Sequence, residues 1–233
     1  MTDIEIKTRS IYDELSPAEQ KVAWYFLQNL GSVFDDPIAV LAEKSGVSQV
    51  MWEAGSLEAI RSTAQIQDAS VIEEVAAKIA AADTVRLFGV GASGLVANDL
   101  YYKLLRVDVN AVFCTDLHVQ LTYITAAKPS DVAILFSNSG NTTEILELAR
   151  AARERGACVV AVTKYGANQL SELADFVLPT SSPELQFRSG ATSSRLAALF
   201  VVDVLFTTLC NKNYSTVAKP LAESYSQCSK HHA

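Results

Sequence analysis

Histidine, paired cysteines and long unbroken apolar runs are what this sequence has least of. Only three histidines occur in 233 residues, and two of them, His231 and His232, sit together near the C-terminus. His118 is left alone, which argues against a histidine-rich metal site. The cysteines Cys114, Cys158, Cys210 and Cys228 show no paired spacing, and two fall inside apolar runs that read as strands. Buried, reduced thiols of a cytoplasmic protein are therefore expected, with no metal and no cofactor. No apolar run approaches the ~20 residues of a membrane span, and the N-terminus has no signal-peptide core. Basic charge is also short: 19 Lys and Arg stand against 26 Asp and Glu, a net charge of -7 that offers nucleic acid no general attraction. Tandem repeats and low-complexity segments are absent.

What is present is core-forming material. A hydrophobic fraction of 49% with 19% charged residues fits one large domain, or one domain with a small appendage. The most informative stretch is Asp131 to Thr163. An apolar run, Val132 to Phe136, meets a polar turn, Ser137-Asn138-Ser139-Gly140-Asn141-Thr142-Thr143. An amphipathic helix follows, with Ile145, Leu146, Leu148 and Ala149 on one face and Glu144, Glu147, Arg150 and Arg153 on the other. Gly156 stops it before a second apolar run, Cys158 to Val162. That pattern is a βαβ unit of a parallel sheet. The turn places four hydroxyl side chains and a glycine where a helix amino end leaves N–H groups unpaired and favours an anion. An ordinary N-cap needs only one such hydroxyl, so the turn reads as a phosphate cradle.

Nearer the N-terminus, Ser16-Pro17-Ala18-Glu19 is a helix start, with a serine N-cap, proline at N1 and glutamate at N3. The apolar stripe Val22, Ala23, Phe26, Leu27 and Leu30 carries the helix towards Gly31. Pro37 opens a second short helix, Ile38 to Lys44, closed by the turn Gly46-Val47-Ser48. The stretch LSPAEQKVAWYFLQNLGSVFDDPIAVLAEKSGVSQ resembles the start of the helix-turn-helix domain of the ribose-phosphate-isomerase-regulator (RpiR) family of bacterial transcription factors. In that family the turn leads into a basic recognition helix. Here Gln49-Val50-Met51-Trp52-Glu53-Ala54-Gly55-Ser56 follows, with no Lys or Arg between Lys44 and Arg61. The recognition helix is read as missing, and residues 1 to 60 carry four basic against ten acidic side chains. Operator DNA, the partner the resemblance implies, is expected not to bind this chain.

Ser56 to Ala82 reads as helical and leads to a strand, Val85 to Phe88, and the turn Gly89-Val90-Gly91-Ala92-Ser93-Gly94, which opens a helix to about Arg106. Such a glycine-rich turn lets backbone approach a ligand. A short strand at Ala111 to Cys114, a helix over Asp116 to Ala126, a short helix at Leu170 to Ala174 and a last strand at Phe176 to Leu178 complete the alternation. Thr180 to Gly190 is a polar loop, Ala191 to Cys210 a long apolar helix, and the tail from Lys212 polar and helical or frayed. The expected fold is α/β: a doubly wound parallel five-stranded sheet of flavodoxin-like order 2-1-3-4-5, with an N-terminal helical segment. The boundaries follow as 1–55 for the N-terminal segment, 56–70 for a linker helix, 71–212 for the sheet domain and 213–233 for the tail. Ligands of such sheets bind beyond the carboxyl ends of strands 1 and 3, where the two unusual turns would meet.

FGVGASG, SNSGNTTEI and ELQFRSGATSSRLAALFVVDVLF are similar to the sugar isomerase (SIS) domain, a phosphosugar-binding fold, over roughly Val71 to Cys210. The resemblance implies that Ser93, Ser137, Ser139 and Thr142 hold phosphate and sugar hydroxyls, and that Gly91, Asn138 and Gly140 supply turn geometry and N–H donors. It implies a site position for Glu184, where SIS enzymes often place a catalytic glutamate; Glu184 and Arg188 also read as plain surface residues. Three functions stay open. One is a sensor that reports a phosphorylated sugar or sugar acid through a helix-turn-helix. Another is an aldose–ketose isomerase, which needs a base such as Glu or His; the histidine- and glycine-rich segment of arabinose-phosphate isomerases has no match at Cys114 to Gln120. The last is a dimerising sensor without DNA binding. The sensor is favoured, with no catalytic residue, no membrane partner, and assembly as a homodimer or homotetramer.

Overall fold

A computed structural model describes residues 3–15, 17–30, 49–182 and 192–230. The chain divides into two compact units, Met1–Gly55 and Ser56–Ala233. In the first, α1 (Asp3–Ser10) and a 3-10 turn (Tyr12–Glu14) precede α2 (Pro17–Gln28). Ala23 and Phe26 are buried as the apolar stripe requires, and Gln20 donates to the Tyr12 carbonyl at 3.2 Å, fastening the turn to α2. Ser16, the expected helix Ile38 to Lys44 and the turn after it lie outside the described residues.

From Gln49 the chain is helical as far as Gln65 (α3), the division between the units falling within it. The long helix expected over Ser56 to Ala82 is two helices. Its apolar pattern runs through the break, but Asp68 accepts from the Ser70 N–H at 2.8 Å and caps a new helix, α4 (Ala69–Ala81). The end of α3 is held elsewhere. Fully buried Thr63 exchanges two 2.9 Å hydrogen bonds with Ser181, and Gln67 donates to the Pro179 carbonyl at 2.6 Å.

The remaining elements alternate: β1 (Val85–Gly89), α5 (Ala92–Leu105), β2 (Ala111–Phe113), α6 (Leu117–Thr125), β3 (Val132–Ser137), α7 (Thr143–Glu154), β4 (Cys158–Lys164), α8 (Gln169–Leu173), β5 (Phe176–Thr180), α9 (Thr192–Lys212) and α10 (Tyr214–Ser229). The five strands are all parallel, in the order β2-β1-β3-β4-β5. Successive strand residues point to opposite faces, and each face is covered. Leu87, Ile134, Phe136, Val160 and Val162 pack under α4, α5 and α9 through Ile79, Leu100 and Leu205. Phe88, Ala133, Leu135, Val159 and Ala161 pack under α6, α7 and α8 through Ile124, Leu148 and Leu170. Double coverage is why the strands read as unbroken apolar runs rather than alternating ones. β5 extends to Thr180 through Pro179, which an edge strand tolerates because that proline's missing N–H costs no central ladder bond.

The tail is a regular helix, α10, with Pro220 inside it. One helix among the described residues, α9, is long and apolar enough to cross a membrane by length and composition, although the sequence has no matching unbroken run. Its inner face is a core face: Ala197, Val201, Val202, Leu205 and Leu209 are buried on the sheet layer. Near the amino edge of the sheet, the buried guanidinium of Arg86 in β1 binds Asp131 at 2.9 Å and donates to the carbonyls of Tyr123 (2.8 Å) and Ala126 (3.2 Å). That cation closes the carboxyl end of α6.

Candidate functional site

The order of the strands reverses between β1 and β3, so their carboxyl-end turns open onto one crevice. On the β1 side only glycine fits at position 89. A β-carbon there would stand 2.7 Å from the Ser93 carbonyl oxygen, so its absence lets the first turn of α5 come down onto the strand end. Gly91 follows at φ 57°, ψ −127°, a backbone state essentially closed to other residues. These two turns of the chain set Ser93, half-buried, at the start of α5.

The β3 turn is built from its own hydroxyls. Buried Ser137 meets Thr142 oxygen to oxygen at 3.0 Å, and Ser137 Oγ also accepts from the Gly140 N–H at 3.2 Å. Thr142 is the N-cap residue of α7, yet its hydroxyl is engaged with Ser137 and no side chain caps the helix. The ordinary capping role expected of a Ser/Thr-rich turn is thus unfilled, which leaves the α7 amino end open to a ligand. Ser139 is exposed at the tip, accepting from the Asn141 N–H at 3.2 Å.

Gly140 is fixed from behind by the β4–α8 connection. Its φ is 65°, its carbonyl accepts from the Leu170 N–H at 2.9 Å, and a β-carbon on it would fall 1.9 Å from Asn168 Oδ1. Asn168 and Ser171 in turn form a reciprocal capping box on α8. The Asn138 carbonyl accepts from Lys164 at 3.2 Å, and Asn141 Oδ1 from the backbone and side-chain N–H groups of Gln169, both at 3.4 Å. Asn168 and Gln169 were not singled out by the sequence reading. They lie 28 residues beyond the turn, and only the register of β3 with β4 brings them under it.

A small cleft of about 40 Å³ opens beside these turns. Among the described residues it is lined by Ser93, Ser137 and Asn138 from the two strand ends and by Ser194 and Arg195 from the first turn of α9, over a floor of Ala92, Val96, Phe136, Val162 and Ala198. Three of the expected site residues therefore converge on the cleft. Gly91, Ser139, Gly140 and Thr142 shape the flanking turns without lining it, and Glu184 and Arg188 lie outside the described residues. Ser194 and Arg195 are additions, and their only signal was an arginine near the start of an otherwise apolar helix. α5 and α9, which flank the cleft, are joined by Lys103, whose ammonium bridges Asp99 at 2.5 Å and Asp203 at 3.0 Å.

The chemistry on offer is anion binding. The amino ends of α5, α7 and α9 all begin at this side of the sheet, and hydroxyls and one guanidinium supply donors. No carboxylate or imidazole is among the described residues lining the cleft, and exposed His118 sits at the start of α6. Among the described residues no three His, Cys, Asp or Glu side chains gather as a metal site would need.

The SIS domain family model matches residues 78–208. An uncharacterised HTH-type transcriptional regulator of Caldanaerobacter subterraneus is 37% identical over 187 residues, 80% of this chain and 64% of that protein. The chain thus spans less than two thirds of the length of that relative. Among solved structures, Vibrio vulnificus NanR complexed with ManNAc-6P superposes with a TM-score of 0.72 at 23% identity, over 96% of this chain and 97% of that one. A protein of Listeria monocytogenes described as a candidate sugar-phosphate isomerase reaches 0.66 at 23% identity, over 80% and 96%. At such identities these two likenesses establish the fold, which regulators and isomerases share.

Proposed function

The chain belongs to the SIS domain family, and from that premise we propose that its Ser56–Ala233 unit binds a phosphorylated sugar at the β1/β3 crevice and acts as the sensor of a transcriptional regulator. The observation that carries this reading is the uncapped amino end of α7. Ser137 and Thr142 are already bonded to each other there, Gly140 is locked in its left-handed state, and among the described residues no side chain caps the helix. A phosphate oxygen completes that arrangement without rearranging it. The relatives' naming as HTH-type regulators and the sugar phosphate bound by NanR support the same reading.

Each hydrogen bond to a charged phosphate contributes roughly 1.5–3 kcal/mol, so Ser139→Ala should weaken binding by about tenfold or more. Calorimetry against a panel of pentose and hexose phosphates measures it. The reading fails if no member binds, or if Ser139→Ala binds as the parent does.

A sensor is favoured over an isomerase on acid–base grounds. Moving a proton between adjacent carbons needs a base within hydrogen-bond reach of the sugar, and the described lining offers hydroxyls, an amide and a guanidinium. Assembly as a homodimer or homotetramer belongs to the same proposal.

For DNA the expected outcome is negative. Helix-turn-helix proteins gain most of their affinity from Lys and Arg on phosphates, and residues 1 to 60 hold four basic against ten acidic side chains. Fluorescence anisotropy on the upstream region of the protein's own gene should show no sequence-specific binding below about micromolar, where non-specific contacts set in. Salt-sensitive, specific binding tighter than that would refute this point.

A further inference from the structure

Arg195 is the one basic side chain among the described residues that line the cleft, and the phosphate-binding turn leaves it without a task. It lies half-buried in the first turn of α9, a turn with no acidic residue. Among the described residues it makes no hydrogen bond or ion pair. A guanidinium stays charged at every working pH, and one partly withdrawn from water is stabilised by an anion. The described residues supply none, which leaves the place to a bound ligand.

Which anion follows from where the groups lie. The uncapped α7 amino end with Ser139, Gly140 and Thr142 stands beside the cleft, and its N–H groups and hydroxyls suffice for a phosphate dianion. Arg195 lines the cleft itself, from the first turn of α9, as Ser93 and Asn138 do from the strand-end turns. We infer that Arg195 reads a second anionic group, a carboxylate, so that the ligand class is phosphorylated sugar acids rather than neutral sugar phosphates. A planar fork of N–H donors matches a carboxylate with two parallel bonds, a geometry lysine does not offer. The inference rests on the phosphosugar reading above and narrows it.

The test pairs each aldose phosphate of a pentose and hexose panel with the aldonic acid phosphate made from it, titrated by calorimetry into the full chain. The parent protein should prefer at least one acid over its aldose by about tenfold or more, the scale of one charge-assisted bidentate pair. Arg195→Gln should abolish that preference, weakening each acid phosphate about tenfold more than the matching aldose phosphate. Arg195→Lys, which keeps the charge, should retain part of the preference and serves alone if the glutamine variant does not fold. Ser139→Ala should weaken acid and aldose phosphates alike. The inference is overturned if the aldose phosphates bind as well as the acids, if Arg195→Gln weakens both members of a pair equally, or if it changes neither. In those cases a normal Ser139→Ala effect leaves the phosphosugar reading standing. If no panel member binds the parent protein, both fall together.

Discussion

Replacing Asp131 with alanine is expected to destabilise the Ser56–Ala233 unit by about 3–5 kcal/mol, the usual result of stripping one partner from a buried ion pair. Asp131 is 1% exposed and Arg86 is 7% exposed. One carboxylate oxygen of Asp131 takes both the Arg86 guanidinium, at 2.9 Å, and the Lys128 N–H, at 3.0 Å. With the carboxylate gone, the guanidinium keeps only the carbonyls of Tyr123 and Ala126 and carries an uncompensated charge in the core. The effect should appear in urea unfolding as a lower midpoint with an unchanged slope. Removing both charges together, Arg86→Met with Asp131→Leu, should recover part of the loss, because no buried charge is left over. A single-variant loss under about 1 kcal/mol would place the pair among weak surface bridges instead.

The second large effect is local to the site. Gly140→Ala is expected to cost about 2–3 kcal/mol, from roughly 1–2 for a β-carbon in the left-handed region and ~1 more for the lost α8 cap. The cap fails because the new methyl would stand 1.9 Å from Asn168 Oδ1 and 2.2 Å from its Cγ, so Asn168 must leave. Its departure also frees the back of the turn that presents Ser139 and the α7 amino end. Phosphosugar affinity should therefore fall about tenfold or more, beyond what loss of stability alone would remove from a protein still folded at assay temperature. Parent-like affinity in a folded Gly140→Ala protein would show that the turn is not what holds the ligand.

The layered α/β fold was readable because its strands are buried on both faces and its helices are not. Val132 to Phe136 and Cys158 to Val162 stand out as short apolar runs, and Ile145, Leu148 and Ala149 mark the buried side of the helix between them. What escaped depends on contacts distant in sequence. The break between α3 and α4 has no composition signal, since the apolar pattern continues across it; it is set by the Asp68 cap and by Thr63 and Gln67 reaching β5. At the site, the individual serines and glycines were legible from their turns. That Thr142 spends its hydroxyl on Ser137 rather than on capping α7 was not, because the choice rests on how the turn is folded back. Asn168 and Arg195 were missed for the same reason: one reaches the site from the β4 end, the other from a helix more than fifty residues downstream of Ser139.

Amide chemical-shift mapping will show whether a phosphate occupies the open amino end of α7. The tightest-binding phosphosugar of the panel and the same sugar without its phosphate are titrated into isotope-labelled protein. The phosphorylated ligand should move the amides of Gly140, Asn141, Thr143 and Glu144 most, with Ser93 following from the facing turn, while the unphosphorylated sugar leaves the first four nearly still. Equal shifts with both sugars, or shifts gathered away from the β1 and β3 turns, would contradict a phosphate there.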